Sequence, residues 1–200
     1  ITIVATGFYT VLGGLKAVIY TDMIQTFILL AGTIAVTYFG LSQIGGWDAM
    51  METLTLASEK PGNPEASQFF NLWRPSSDTD YPWTGMLFGA PILGVWYWCT
   101  DQFIVQRTLS AKDISNARKG TLFAGFLKLL PVFIFFIPGV IAFALSQKGM
   151  LNFSLENPDH ALPAMINGFL PIGLKGLAIS GLLAALMSSL SSAFNSSSTL

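Results

Sequence analysis

Charge is scarce in this sequence: Asp, Glu, Lys and Arg make up 10% of the 200 residues, and the net charge is −1. Soluble domains carry about 25% charged residues, so a water-facing surface over the whole chain is excluded. Without a basic excess there is no electrostatic footprint for nucleic acid. One cysteine, Cys99, excludes an internal disulfide framework. A single histidine, His160, removes the usual partner of a catalytic dyad and the commonest metal ligand. No nucleophile–base pair or metal cluster stands out, which speaks against an enzyme. The opening run from Ile1 to Thr6 lacks an initiator Met and a basic n-region, so it does not read as a signal peptide. The other end stops at a serine-rich stretch directly after a helical run. The chain is therefore expected to be an internal piece of a longer membrane protein.

Apolar residues are abundant, at 52%, and the mean hydropathy is +0.58. They fall into runs long enough for membrane helices. The spacing predicts helices over about 1–12, 23–44, 83–105, 120–145 and 173–194, forming one transmembrane unit over 1–200. Gly13-Gly14 and Gly45-Gly46 end the first two. Long polar connections are expected over 45–82 and 146–171, the first containing Pro61-Gly62-Asn63-Pro64. Pro91, near the middle of the third helix, removes a hydrogen bond and is expected to kink or open the helix there.

Charge sets the orientation. The short loop 106–119 holds Arg107, Lys112, Arg118 and Lys119 against Asp113, for a net charge of +3. The connection 45–82 has two basic and six acidic residues, for a net charge of −4. The basic loop is thus expected in the cytoplasm and both long connections outside. Lys16 and Asp22 then lie inside, and the last helix descends towards the cytoplasm.

The stretch from Gly94 to Gln102, Gly-Val-Trp-Tyr-Trp-Cys-Thr-Asp-Gln, sits within the third apolar run. Three aromatics next to a threonine, an aspartate and a glutamine cannot all face lipid. They suit a neutral, hydroxyl-rich ligand, which needs a flat face for its C–H surface and partners for its hydroxyls. The alternative is an interfacial aromatic belt at a helix end. Lys128 lies about 12 Å into the fourth helix, and Trp98 lies about 13 Å from the same side, at 1.5 Å per residue. An ammonium and an aromatic therefore share a level near the midplane. A lysine at that depth is expensive and marks function by default, with a snorkelling side chain as the alternative.

The fifth helix carries a small, partly polar stripe: Gly176, Ser180, Ala184, Ala185, Ser188, Ser189, Ser192 and Ser196. Close helix packing accounts for such a stripe. Ala185, Ser188 and Ser189 also share one face at i, i+3 and i+4, and two hydroxyls with a nearby carbonyl suit a small alkali cation. Both readings stand at this point. Ser191 and Ser192 fall outside that face.

A family resemblance becomes visible in these segments. The run from Tyr9 through Gly13-Gly14 to Asp22 and Gln25 resembles the signature region of the sodium/solute symporter family. Trp96-Tyr97-Trp98-Cys99-Thr100-Asp101-Gln102, Gln106-Arg107 and Leu109-Ser110-Ala111-Lys112 are similar to its sodium/glucose cotransporter branch. So are Lys128-Leu129-Leu130-Pro131, Pro138-Gly139, Leu186 to Leu190 and Phe194-Asn195-Ser196. The outer connections match poorly.

That resemblance implies an all-α transmembrane fold, part of a five-plus-five inverted-repeat symporter core running from the end of core helix 4 to core helix 8. Carried over by position, it implies that Tyr97 is an inner gate under the sugar, with Trp98 and Lys128 in the sugar pocket. It makes Ala185, through its carbonyl, Ser188 and Ser189 part of a sodium site, and puts Asp22 on the sodium release path. Gly94 stands where members carry Asn or Thr near the sugar, so one hydrogen-bonding partner is missing. The implied activity is sodium-coupled symport of a sugar or related polyol in the cell membrane, plasma or inner. It needs no cofactor beyond sodium as coupling ion, and its partners are the bilayer and the rest of the same chain. Two alternatives use the same residues: a sodium-dependent sugar sensor without net uptake, and a symporter of another small organic solute such as inositol.

Overall fold

The computed structural model describes residues 1–61, 63, 65–71, 73–152 and 158–199. Parts of the expected connections 45–82 and 146–171 thus lie outside the described residues. Those described form an all-α fold, and three helical stretches are long and apolar enough to cross a membrane: Thr2–Ile44, Ile114–Gln147 and Ile172–Thr199.

Helix α1, Thr2–Ile44, is two legs meeting at Gly14, whose φ of 56° and ψ of −158° are open to glycine and strained for other residues. Residues 15–22, which fall between the first two expected helices, belong to the second leg. The helix ends at Gly45, φ 100°, whose N–H reaches back to the last-turn carbonyls. The connection that follows is not all coil: α2, Trp47–Ser58, packs Met50 and Leu54 inward. Beyond it, the N–H groups of Tyr81 and Asp80 donate to the Asp78 carboxylate and, with Arg74 beside it, hold its carboxyl below the usual range.

The third apolar run does not open at its proline. Helix α3, Trp83–Val95, runs on as a helix past Pro91. It gives way to a π segment, Trp96–Thr100, in which the N–H of Asp101 reaches the Trp96 carbonyl at 3.0 Å. Asp101 itself is extended (φ −69°, ψ 115°), and its carboxylate caps α4, Gln102–Leu109, by accepting from the N–H of Phe103. Residues 106–109 are therefore helical, and the turn expected over 106–119 shrinks to 110–113. There Asp113 caps α5, Ile114–Leu127, through the N–H of Asn116.

The fourth expected helix, 120–145, is broken as well. Lys128 and Leu129 form a turn, then a π segment, Val132–Phe136, leads into α6, Ile137–Gln147. Pro131 and Pro138 flank that segment and take away two N–H donors, which is why regular winding fails there. Helix α7, Ala161–Phe169, lies within the second expected connection, and α8, Ile172–Thr199, closes the described chain.

Two different interiors result. At one end α1, α2, α6 and α7 bury an apolar core that includes Ile44, Met50, Leu54, Ile141, Leu145 and Met165. Along the centre α1 and α8 pack backbone to backbone. A Cβ on Gly32 would come 2.9 Å from the Ala178 Cα, and one on Gly181 would come 3.0 Å from the Leu29 Cα. Earlier residues of α1 meet later residues of α8, so the pair is antiparallel. Towards the other end, where α4 joins, the buried side chains turn polar: Gln106, Ser191, Ser192, Asn195 and Ser196.

Candidate substrate cavity and cation helix

The π segment decides where the aromatics go. Its wider turn changes the angular step between neighbours, so Tyr97 and Trp98 come together edge to face, with ring centroids 5.3 Å apart. Lys128, at the break after α5, places its Nζ over the Tyr97 ring, 4.1 Å from the centroid. An ammonium over an aromatic face is attracted by the ring's quadrupole. All three residues line one cavity of about 370 Å³, walled by Ile104, Arg107 and Thr108 from α4 and by Ala117, Thr121 and Ala124 from α5. Aromatic faces, a cation and apolar walls can hold a small hydroxylated solute.

Other members of the stretch turn elsewhere. Asp101 is occupied as a helix cap, and Gln102 donates to the Thr199 hydroxyl at 3.2 Å. Cys99 is exposed. The polar content of the stretch is therefore mostly structural, because the break at Asp101 needs a cap and α4 needs an anchor. At Gly94 an added Cβ would meet nothing within 4 Å.

The three residues expected at a sodium site lie on α8. The Ser189 hydroxyl donates to the Ala185 carbonyl at 3.1 Å, so these two oxygens are near enough to face one cation. Ser188 stands beside the carboxylate of Asp22, and its own carbonyl accepts from Ser191 and Ser192. The stripe expected from spacing is only partly the packed face. Of its members Ala184, Ser192 and Ser196 are buried, whereas Gly176, Ser180 and Ser189 are exposed.

Arg107, read from the sequence as one of several loop cations, reaches both the Asp22 carboxylate and the Ser192 hydroxyl. It also lines the cavity, so one residue touches both regions. Ser192 is consequently not a neutral position. Next to it, Gln106 is buried with both ends of its amide satisfied: it donates to Ser196 at 3.0 Å and accepts from Asn195 at 2.8 Å. The sequence signal for these partners was the i, i+4 pairing of Gln102 with Gln106 and of Asn195 with Thr199, which only becomes visible once 106–109 is helical. On α1, Asp22 Oδ1 and Gln25 Oε1 are buried acceptors without a hydrogen-bond partner among the described residues. They lie at i and i+3, on one face.

The sodium:solute symporter family model matches residues 1–200. The chain belongs to this family. It is 42% identical to sodium/myo-inositol cotransporter 2 of Sus scrofa, over 98% of this chain and 32% of that protein. It is 41% identical to sodium/glucose cotransporter 1 of Sus scrofa, over 98% of this chain and 33% of that protein. A sodium/mannose cotransporter of Bos taurus is 38% identical over 100% of this chain and 36% of its own length. The chain thus spans about a third of the length of the curated relatives it matches.

Proposed function

We propose that the whole protein is a sodium-coupled symporter of a sugar or related polyol, resident in the cell membrane and working by alternating access. The observation that carries this reading is the gathering of Tyr97 and Trp98 with Lys128, distant from them in sequence, around one cavity. In this reading Trp98 and Tyr97 stack on the C–H face of the solute and the Lys128 ammonium donates to a hydroxyl. The Tyr97 ring closes the inner side of the cavity.

Sodium is held in part by Ser188, Ser189 and the Ala185 carbonyl, and the remaining ligands come from chain outside these residues. Hard oxygen donors suit such an ion, and the pair on Ala185 and Ser189 already converges. Asp22 takes the ion on its way to the cytoplasm. The buried oxygen of Gln25 and the Asp22 carboxylate, the latter beside Ser188, support that route. The breaks at Asp101 and Lys128 suit discontinuous helices of an inverted-repeat symporter, whose binding sites lie at such interruptions.

The relatives' names include an inositol, a glucose and a mannose cotransporter. Gly94 counts against glucose or galactose specifically, because an open position without a side chain offers no hydrogen bond there. The test is equilibrium binding of glucose, mannose and myo-inositol to the purified full-length protein in sodium and in potassium. Sodium-dependent binding of at least one is expected. Binding of none, or binding indifferent to sodium, contradicts the reading.

A further inference from the structure

Helix α5 uses only part of its surface on the solute cavity. Ala117, Thr121 and Ala124 turn to that cavity and are half-buried. Farther round the helix, Ile114, Arg118 and Leu122 recur at i, i+4 and i+8 and stay exposed. With Thr108 of α4, Ala117 and Thr121, they line a second cavity, of about 350 Å³. Thr108, Ala117 and Thr121 line both cavities, so they form the partition between the two.

The charges around this groove are of one sign and unspent. Arg107 is paired with Asp22. Asp113, the one acid of the turn, is taken up at the start of α5, where its two carboxylate oxygens accept from the backbone N–H and the side-chain amide of Asn116. Lys112, Arg118 and Lys119 are then left exposed, with no ion pair among the described residues. Above Arg118 the same side of α5 carries only hydrocarbon: Leu122 and then Phe126 are 77% and 73% exposed. At 1.5 Å per residue Leu122 stands about 6 Å and Phe126 about 12 Å farther into the membrane than Arg118. Cations at the mouth and an apolar track rising from them match one molecule with an anionic head and a long hydrocarbon tail.

We propose that this groove binds an anionic phospholipid from the leaflet on the side of the basic turn. Arg118 and Lys119, with Lys112 across the turn, hold the phosphate, and one acyl chain lies along Leu122 and Phe126. The Arg118 stem covers the groove while its guanidinium reaches the head-group level, and basic pockets between membrane helices suit such head groups. A free phosphate would use the cations and leave the track bare. An acidic protein segment would gain nothing from apolar side chains about 12 Å deeper. A lipid seated here braces the solute cavity from behind, through Thr108, Ala117 and Thr121. The site lies outside the transport reading and needs no step of it.

The test is the thermal midpoint of the purified full-length protein in neutral micelles, titrated with phosphatidylglycerol. The midpoint should rise and saturate, and phosphatidylcholine should not replace the anionic lipid. Arg118→Gln should raise the half-saturating fraction of phosphatidylglycerol about fivefold, the share of one cation near a lipid surface, and adding Lys119→Gln should raise it about fivefold again. Lys60→Gln, in the acidic outer connection, should leave it unchanged. In a second measurement a benzophenone amino acid replaces Leu122 in vesicles containing labelled phosphatidylglycerol, and light should attach label to the protein, less so with Arg118→Gln. An unshifted titration in the Gln variants overturns the site, as does an equal effect of phosphatidylcholine. Saturation by glycerol phosphate alone would make it an anion site without a lipid. Cross-links from position 122 to the protein alone would show the groove filled by the rest of the chain, which also overturns the proposal.

Discussion

The Nζ of Lys128 lies 4.1 Å from the centroid of the Tyr97 ring, joining the turn after α5 to the π segment after α3. The contact fixes the ammonium at one wall of the cavity without neutralising it, since an aromatic face leaves the N–H donors free for a hydroxyl. Lys128→Ala should weaken solute binding about tenfold or more, the scale of one hydrogen bond to a charged group. Lys128→Arg should recover part of it. Solute affinity measured by titration in sodium checks this, and an unaltered affinity in Lys128→Ala removes the lysine from the site.

Tyr97 contributes a ring to both Lys128 and Trp98. Tyr97→Phe keeps the ring contacts, and Tyr97→Ala loses them. The rate of solute release to the cytoplasmic side should therefore rise much more in the Ala variant. If the two variants release solute equally fast, the hydroxyl rather than the ring does the gating.

Ser188 and Ser189 should act on sodium. Replacing either by Ala leaves a desolvated cation one oxygen short, so the half-saturating sodium concentration should rise about tenfold, or roughly 1.4 kcal/mol. Ser180→Ala, at an exposed position of the same helix, should leave it within about twofold. Spacing alone made Ser192 a neutral control, but its hydroxyl holds Arg107. Ser192→Ala should therefore alter the α4–α8 seam. Equal shifts at positions 180, 188 and 189 would remove Ser188 and Ser189 from the sodium site.

The close approach of α1 and α8 predicts a stability effect independent of transport. A methyl at Gly32 or Gly181 meets backbone rather than a movable side chain. Gly32→Ala and Gly181→Ala should each destabilise the protein by about 1–3 kcal/mol through overpacking. At Gly173 and Gly176 an added Cβ meets nothing within 4 Å, so Ala there should be tolerated. Thermal midpoints of the solubilised full-length variants measure this.

The sequence made the apolar runs, the glycine break before Lys16 and the family segments legible. It also paired Trp98 with Lys128 by depth, and both line the cavity. What it hid lies in local irregularity. Pro91 looked like the weak point of the third helix, but a helix tolerates one missing bond there, and the winding changes farther on, at the aromatics. Asp101 and Gln102 looked like ligand groups because their polarity was plain and their bonding was not. Whether a buried polar residue faces a ligand or caps a helix depends on φ and ψ at one residue, which composition does not carry. Arg107 and Gln106 were misplaced in a loop for the same reason: without the break at Asp101, the helix around them cannot be seen.

Accumulation of solute against its gradient tests the central claim most directly. The full-length protein is reconstituted into vesicles and given labelled myo-inositol or glucose with an inward sodium gradient. Sodium-coupled symport predicts an internal concentration that overshoots the external one and then decays as the sodium gradient collapses, with no overshoot when potassium replaces sodium. Sodium-dependent binding without any accumulation would make the protein a sensor. Accumulation that ignores sodium would contradict the assignment of Ser188, Ser189 and Ala185 to the driving ion.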